Sequence, residues 1–238
     1  MKNPTIDLTF PHNWQAQILS ARPLILPTRN FAYPAQAEEV ERGALELLIR
    51  PTSPVPAESQ VEVLKGPDFS RAAHAAKSER ALAPEGRVSQ PSPGNPLSSA
   101  SSEPYAAPEF LATCALGFRD ATVPTGLWST PNPAELCAVS GGYAYILNTT
   151  APSGFTMIPF RPVLEVRPLA AQGLLLFVGH HAILAWGPNG QVWQSEKLSD
   201  EGVTISFIDA NQLHGQGWSM ITDQETQFTL DLSTGLRI

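Results

Sequence analysis

The sequence predicts an all-β fold in which three blade-like antiparallel units form a partial propeller or an open sandwich, completed by N-terminal strands. Two observations carry this prediction. Beyond residue 109, short apolar runs are separated by turn residues at a spacing of roughly 8–12 residues, which is typical of sandwiches, barrels and propellers. The same region repeats, three times and loosely, the order strand, polar or glycine turn, strand. A long insert, predicted to be disordered, precedes it.

Residues 1–50 are predicted to form an extended arm and one strand that joins the β core. Prolines interrupt the first part, and each removes a backbone donor and disfavours helix in the residue before it. Short extended pieces fit between the prolines, at 6–10, 17–20 and 24–26. At 44–50, Leu45, Leu47 and Ile49 alternate with other residues, and this period of two indicates a strand.

Residues 51–108 are rich in Pro, Ser, Ala and charged residues. Such a segment buries too little apolar surface to offset its chain entropy, so we predict a mostly disordered insert. Strand-like segments at 44–50 and 110–118 bracket it. Because the entropy of closing a loop grows only logarithmically with length, we predict that these two strands pair, or lie in one sheet, with the insert as an excursion.

Residues 109–238 are predicted to be the repeat domain. Gly141-Gly142 suits a tight hairpin because glycine tolerates positive φ, and residues 187–190 make a second turn. The predicted strands are 110–118, 136–140, 143–148, 155–160, 163–167, 174–178, 182–186, 191–195, 203–209, 212–218 and 227–232. The three repeats would span 136–166, 174–205 and 207–238.

Residues 183–195, Ile-Leu-Ala-Trp-Gly-Pro-Asn-Gly-Gln-Val-Trp-Gln-Ser, resemble the repeat of quinoprotein-type (PQQ-like) β-propellers. Residues 230–236, Leu-Asp-Leu-Ser-Thr-Gly-Leu, resemble the same glycine-bearing turn. The resemblance implies propeller blades, but closed propellers generally use at least four. The N-terminal strands would supply a fourth blade, or else the sheets pack as an open or sandwich-like arrangement. No residue matches a pyrroloquinoline quinone site, so no cofactor is predicted.

The charge of the chain argues against two classes of partner. The formal net charge is −7, and no cluster of basic residues is present to displace counterions from nucleic acid or an anionic membrane. The start of the sequence lacks a signal-peptide pattern, which predicts a cytoplasmic protein. Cys114 and Cys137 lie in apolar runs and are predicted to be buried free thiols.

Metal and nucleophile chemistry finds little support. In a turn, His181 with His214 and Asp223 would offer ligands that suit zinc. The spacing of these residues matches no metal-binding motif. The histidines are equally well explained as hairpin-turn residues with polar partners, so no metal is predicted. Arg119 and Asp120 follow a strand, where they would bind a ligand or simply pair with each other. Four tryptophans near turns, Trp128, Trp186, Trp193 and Trp218, would line a binding face or, as we favour, anchor the packing of the blades.

Three functions therefore remain open. The first is a non-enzymatic protein-interaction or scaffold module whose partner is another protein. The second is a small-ligand or carbohydrate-binding domain, and the third is a hydrolase of unrecognised type around Asp120, His181 and His214. No catalytic residue is predicted. The ligand-binding candidates are Arg119, Asp120, Trp128, His181, Trp186 and His214.

Overall fold

The computed structural model describes residues 3–35, 44–52 and 108–238. Apart from a 3-10 turn at Ala170–Gln172, the regular elements of this part of the chain are strands. They form four small sheets, none of which closes on itself. The predicted all-β class is confirmed. The predicted disorder falls almost wholly on residues 53–107, which lie outside the described residues.

Sheet 1 combines strands from both sides of the insert. They are β2 (Trp14–Leu19), β3 (Asn30–Tyr33), β4 (Leu45–Pro51) and β5 (Phe110–Cys114), in the order β2-β4-β5-β3. Antiparallel pairing of β4 with β5 places Ile49 opposite Phe110, which confirms the predicted pairing. Strand β3 adds in parallel to β5. The extended piece predicted at 24–26 is not a strand, since residues 24 and 25 form bends.

Strand β5 ends before the predicted residue 118 because the chain leaves the sheet there. The amide of Gly117 donates to the carbonyl of Ser140, 2.9 Å away, and that of Phe118 donates to Gly141 at 2.8 Å. Residues 117 and 118 therefore follow the turn of a neighbouring hairpin instead of pairing with β4.

The register of β4 and β5 predicts that the intervening residues are not needed for folding. The Arg50 guanidinium lies 2.8 Å from the Glu109 carboxylate beside the last paired residues, so a short turn spans the gap. We expect the chain in which a short turn replaces residues 53–105 to fold and to melt no more than about 8 °C above the full chain. Loop closure costs about 0.6 kcal/mol per doubling of length, or about 2 kcal/mol over this shortening, and 1 kcal/mol shifts the melting temperature of a chain of this size by about 2–4 °C. Calorimetry of the two chains measures this, and a shortened chain that does not fold contradicts it.

Sheets 2, 3 and 4 are built mainly from consecutive antiparallel strands. Sheet 2 has the order β1-β6-β7-β8-β9, with β1 parallel to β6; sheets 3 and 4 are simple meanders of four and three strands. Sheet 2 contains β1 (Thr5–Asp7), β6 (Gly126–Ser129), β7 (Glu135–Ser140), β8 (Tyr143–Asn148) and β9 (Phe155–Met157). Sheet 3 contains β10 (Glu165–Leu169), β11 (Leu174–Val178), β12 (Ile183–Gly187) and β13 (Gly190–Gln194), and sheet 4 contains β14 (Val203–Ile208), β15 (Gln212–Ser219) and β16 (Gln224–Asp231).

The predicted hairpins are confirmed. Gly141 and Gly142 both have positive φ in the β7–β8 turn, and the β12–β13 turn lies at Gly187 and Gly190. The sheets do not follow the predicted repeat boundaries, however. Sheet 2 includes Gly126–Ser129 as β6, before the predicted start at residue 136, and residues 203–205 belong to sheet 4.

Three apolar cores join the sheets in sequence. The first lies between sheets 1 and 2 and includes Tyr33, Leu47 and Tyr145; the second lies between sheets 2 and 3 and includes Ile146 and Phe177. The third lies between sheets 3 and 4. Sheets 2 and 3 are therefore covered on both faces, and this explains why their central strands are almost continuously apolar.

Tryptophans connect neighbouring sheets through their indole N–H groups. Trp14 Nε1 of sheet 1 donates to the carbonyl of Glu135, 3.0 Å away in sheet 2. Trp193 Nε1 of sheet 3 donates to the carbonyl of Leu232 at 2.7 Å, after the last strand of sheet 4. The Trp193 ring also lies against Gly235, whose φ is +70°. These tryptophans pack the sheets together.

Cys114 and Cys137 are buried free thiols, as predicted. Burial raises the pKa of both thiols, so each is held in the protonated, unreactive form. Their role in the described structure is apolar packing.

Glu46 is a buried carboxyl on sheet 1. Its Oε2 accepts a hydrogen bond of 2.8 Å from the Thr113 hydroxyl. Burial raises the pKa of the Glu46 carboxyl, while the Thr113 hydrogen bond and the charge of Arg22 oppose the shift. An acid whose pKa is raised by folding contributes stability below its unfolded pKa, and that contribution is lost as pH rises through the folded pKa.

We therefore expect Glu46→Gln to gain stability relative to the wild type as pH rises from about 4 to about 7. Urea unfolding at both pH values measures the difference, and Glu201→Gln controls for the loss of one exposed negative charge. If the stability of Glu46→Gln relative to the wild type stays constant or falls as pH rises, the pKa of Glu46 is not raised by folding.

Candidate functional site

The outer face of sheet 4 carries a row of polar and aromatic side chains. A β-bulge between Ile205 and Phe207 shifts the register of β14. Ile205 consequently packs in the core while Phe207 lies opposite His214, with its side chain 56% exposed. His214 in turn lies opposite Thr229 of β16. Three strands thus present one side chain each along a single line.

Glycine allows the inner face beneath this row to pack tightly. A Cβ atom at Gly215 would lie 2.4 Å from Cζ of Phe228 and 2.6 Å from the carbonyl oxygen of Thr204. Because Gly215 has no side chain, the Phe228 ring occupies that volume and is buried.

His214 has a partner on one face of its ring and at each ring nitrogen. The Phe207 and His214 rings stack with centroids 4.1 Å apart and an interplanar angle of 17°. Nδ1 of His214 lies 3.0 Å from the Thr229 hydroxyl, and Nε2 lies 3.3 Å from the Asp209 carboxylate. These contacts fix the imidazole in place on the outer face.

A groove of about 360 Å³ runs beside this row. Its lining mixes apolar and polar groups, and the guanidinium of Arg237 at its end lies 3.5 Å from the Glu196 carboxylate. The lining residues are Ser206, Phe207, His214, Gly215, Gln227, Phe228, Thr229, Arg237 and Ile238.

Among the described residues, the outer edge of β16 has pairing partners at one end only. The amide of Ile238 donates to the carbonyl of Thr229 at 3.0 Å, and the amide of Asp231 donates to Leu236 at 2.9 Å. Since peptide groups alternate in direction along an antiparallel strand, the amides and carbonyls of Glu225 and Gln227 point to the same edge. No strand of the described ranges pairs with them there.

Arg119 and Asp120 lie on an exposed loop after β5, far along the chain from the groove. Asp120 accepts a hydrogen bond of 2.8 Å from the Thr122 amide. This bond lowers the pKa of the Asp120 carboxyl, as expected for a loop carboxylate that closes a turn.

Trp128 and Trp186 lie in the core between sheets 2 and 3, with exposures of 4% and 6%. The indole N–H of Trp186 donates to the Glu135 carboxylate at 3.2 Å. Burial raises the pKa of the Glu135 carboxyl, an effect that this hydrogen bond opposes. The placement agrees with the packing role that we favoured for the tryptophans.

His181 lies in the turn between β11 and β12, and its Nδ1 is 3.0 Å from the carbonyl of Ser199. Asp120, His181 and His214 therefore have separate partners on separate elements. Within residues 3–35, 44–52 and 108–238, no three His, Cys, Asp or Glu side chains come close enough to hold a metal ion.

Of the six candidate residues, the groove contains His214. Sequence reasoning missed Phe207, Thr229 and Arg237. Phe207 lies inside a predicted strand, but a bulge reverses the alternation of buried and exposed side chains there. The sequence pattern therefore does not place Phe207 on the outer face. The row of Phe207, His214 and Thr229 follows from the register of β15 with β14 and β16, and no local sequence motif predicts it.

No helix in the described part of the chain has the length and apolar character to cross a bilayer. Comparisons with protein-family models, with curated proteins and with solved structures find no match to this chain.

Proposed function

We propose that the chain is a non-enzymatic protein-interaction module that binds an extended segment of a partner protein along the open edge of β16. We also interpret the sheets as blade-like units in an open arrangement, of which the last lacks a fourth strand. The observation that supports the proposal is the edge itself. β16 has eight residues, and residues 236–238 lie beside only the last three of them.

The edge offers main-chain groups that bind a strand without regard to its sequence. Glu225 and Gln227 would each exchange two hydrogen bonds with an added antiparallel strand, continuing the pairing that Ile238 begins at Thr229. Main-chain bonds of this kind supply affinity, and pockets for alternate side chains supply specificity.

The surroundings define the chemistry of the partner. The groove beside Phe207 and Ile238 would accept an apolar side chain, and the exposed Glu225 carboxylate would favour a basic residue further along the added strand. The partner segment is therefore extended, with an apolar residue followed by Lys or Arg.

The opposite edge of sheet 4 is less suited to this role. Strand β14 carries the bulge between Ile205 and Phe207, and bulges disrupt the regular ladder that an added strand needs. The register of β15 with β16 is regular over all eight pairs. We therefore assign the binding edge to β16.

The test is selection of a random 12-residue displayed peptide library against the full chain, followed by affinity measurements on Gln227→Pro and Gln227→Thr. Proline removes an amide that faces the open edge and leaves the bonds to β15 intact. We expect peptides with the stated pattern to be selected, Gln227→Pro to bind at least about 10-fold more weakly, and Gln227→Thr to bind normally. Selected peptides that bind both variants equally, or no selection at all, contradict the proposal.

A second candidate is a small-ligand or carbohydrate-binding domain, favoured by the exposed ring of Phe207 stacked on His214 over a groove of about 360 Å³. Aromatic rings paired with polar groups suit small ligands. Binding measurements with a panel of glycans and metabolites test this candidate, and the affinity of any ligand found is then measured for Phe207→Ala. A panel without a ligand, or a ligand that binds Phe207→Ala as tightly as the wild type, contradicts it.

The proposal includes a cytoplasmic setting. Its support is the pair of buried free thiols, Cys114 and Cys137, since reduced cysteines are usual in the cytosol.

A further inference from the structure

The loop between β2 and β3 exposes three consecutive apolar side chains. Leu24 is fully exposed, Ile25 is 89% exposed and Leu26 is 40% exposed. Pro23 and Pro27 bracket them and restrict the backbone on both sides. Contiguous exposed apolar residues at a stiff loop mark an interaction surface more often than isolated ones do. We call residues 24–26 the apolar loop.

The apolar loop is locally basic in an acidic chain. Arg22 and Arg29 flank it, and residues 8–35 contain no Asp or Glu, although the net charge of the whole chain is −7. Arg29 is held against the protein, with its guanidinium 5.7 Å from the Phe110 ring centroid and a hydrogen bond to the Pro108 carbonyl. A fixed positive charge therefore stands at one side of the loop.

The turn between β15 and β16 is the complementary surface. Met220 and Ile221 are 69% and 95% exposed, and we call this pair the apolar turn. Acidic residues surround it. The Asp200 carboxylate accepts a hydrogen bond of 2.7 Å from the Met220 amide. Glu201 follows Asp200 in the chain, Asp223 and Glu225 follow the turn, and all three are exposed. One positive group, Lys197, pairs with Asp200.

We propose that the apolar loop of one copy docks on the apolar turn of a second copy. Docking would remove both apolar patches from water and would bring the arginines of one surface to the carboxylates of the other, where opposite charges fix orientation. A membrane surface is a poorer occupant, because the carboxylates dominate the rest of the chain and repel anionic headgroups.

The two patches are different surfaces, so the contact is heterologous. A pair keeps one unused turn on one copy and one unused loop on the other, and further copies add head to tail until a ring closes or a filament grows. The contact uses side chains at the tip of the turn. The strand-docking proposal rests on the backbone edge around Gln227 and shares with this contact only the Glu225 carboxylate.

The test is multi-angle light scattering on the full chain at rising concentration, with two variants. The loop variant is Leu24→Ser with Ile25→Ser, and the turn variant is Met220→Ser with Ile221→Ser. We expect the wild type to grow in mass up to about 0.1 mM, a concentration suited to a weak contact, and each variant alone to remain monomeric. An equimolar mixture of the variants should form a dimer and nothing larger, because each still supplies one intact surface.

Val192→Ser is the matched control, since Val192 is an exposed apolar residue of β13 outside both patches, and it should associate like the wild type. Circular dichroism confirms that every variant is folded. Gln227→Pro should also associate normally, which separates this proposal from the previous one. A wild type that stays monomeric, or a variant mixture without dimer, overturns the proposal.

Discussion

Replacing Trp193 with alanine is expected to lower the free energy of unfolding by about 3–5 kcal/mol, the cost of truncating a large buried aromatic side chain. Trp193 belongs to the core between sheets 3 and 4. Its ring covers Gly235, and its indole N–H donates to the Leu232 carbonyl at 2.7 Å. The substitution removes both contacts and leaves a cavity between the sheets. Urea unfolding followed by circular dichroism measures the loss.

Trp193→Phe separates the two contributions. It keeps an aromatic ring over Gly235 and removes the hydrogen bond, so we expect a clearly smaller loss than for alanine, with about 1–3 kcal/mol from the unpaired carbonyl. If alanine costs less than about 1 kcal/mol, a typical value for an ordinary substitution, then Trp193 does not hold sheet 4 on sheet 3.

Gly126→Val is expected to destabilise the fold by about 3 kcal/mol, the upper part of the range for overpacking. A Cβ atom at Gly126 would lie 2.0 Å from the carbonyl oxygen of Thr5, the residue with which Gly126 pairs in the parallel β1–β6 ladder. Any side chain therefore displaces the N-terminal strand from sheet 2. Denaturant unfolding measures the change.

Gly154→Val is the matched control. A Cβ atom at Gly154 would meet its nearest neighbour, the carbonyl oxygen of Ala151, at 3.4 Å, which is ordinary van der Waals contact. We expect a change of about 0.5 kcal/mol or less. Equal losses for the two variants would show that β1 does not approach Gly126 closely.

Local patterns in the sequence sufficed for the strands that pair with a near neighbour. The alternation of Leu45, Leu47 and Ile49 identified β4, and the glycine pair at 141 and 142 identified the β7–β8 hairpin. The pairing of β4 with β5 was also predictable, because the insert has strands at both of its ends. The alternation and the glycine pair are local signals, each contained within a few residues.

Long-range pairings of short strands were not predictable. Strand β1 has three residues and pairs in parallel with β6, more than a hundred residues away. Strand β3 was missed because its four residues carry no extended alternating pattern. Such strands form because a neighbouring sheet edge accepts them, and that edge exists only after the sheet has folded.

The candidate site was the least predictable part. Trp128 and Trp186 were candidates because they are aromatic residues near turns, but β6 pairs with β7, β12 pairs with β11, and both tryptophans are buried in the core between sheets 2 and 3. Phe207 became a surface residue through a one-residue bulge, which reverses the inward and outward positions of a strand. His214 was found by residue type, and its partners Thr229 and Asp209 were fixed by register.

The central claim is that the edge of β16 stands open to receive a strand. Residue-resolved amide hydrogen exchange tests it most directly. In the free chain we expect the amides of Glu225 and Gln227, which face the edge, to exchange at least about 100-fold faster than those of Thr226 and Phe228, which face β15. A bound peptide from the displayed library should slow Glu225 and Gln227 alone. Protection of these two amides in the free chain, or none on peptide binding, would contradict the account.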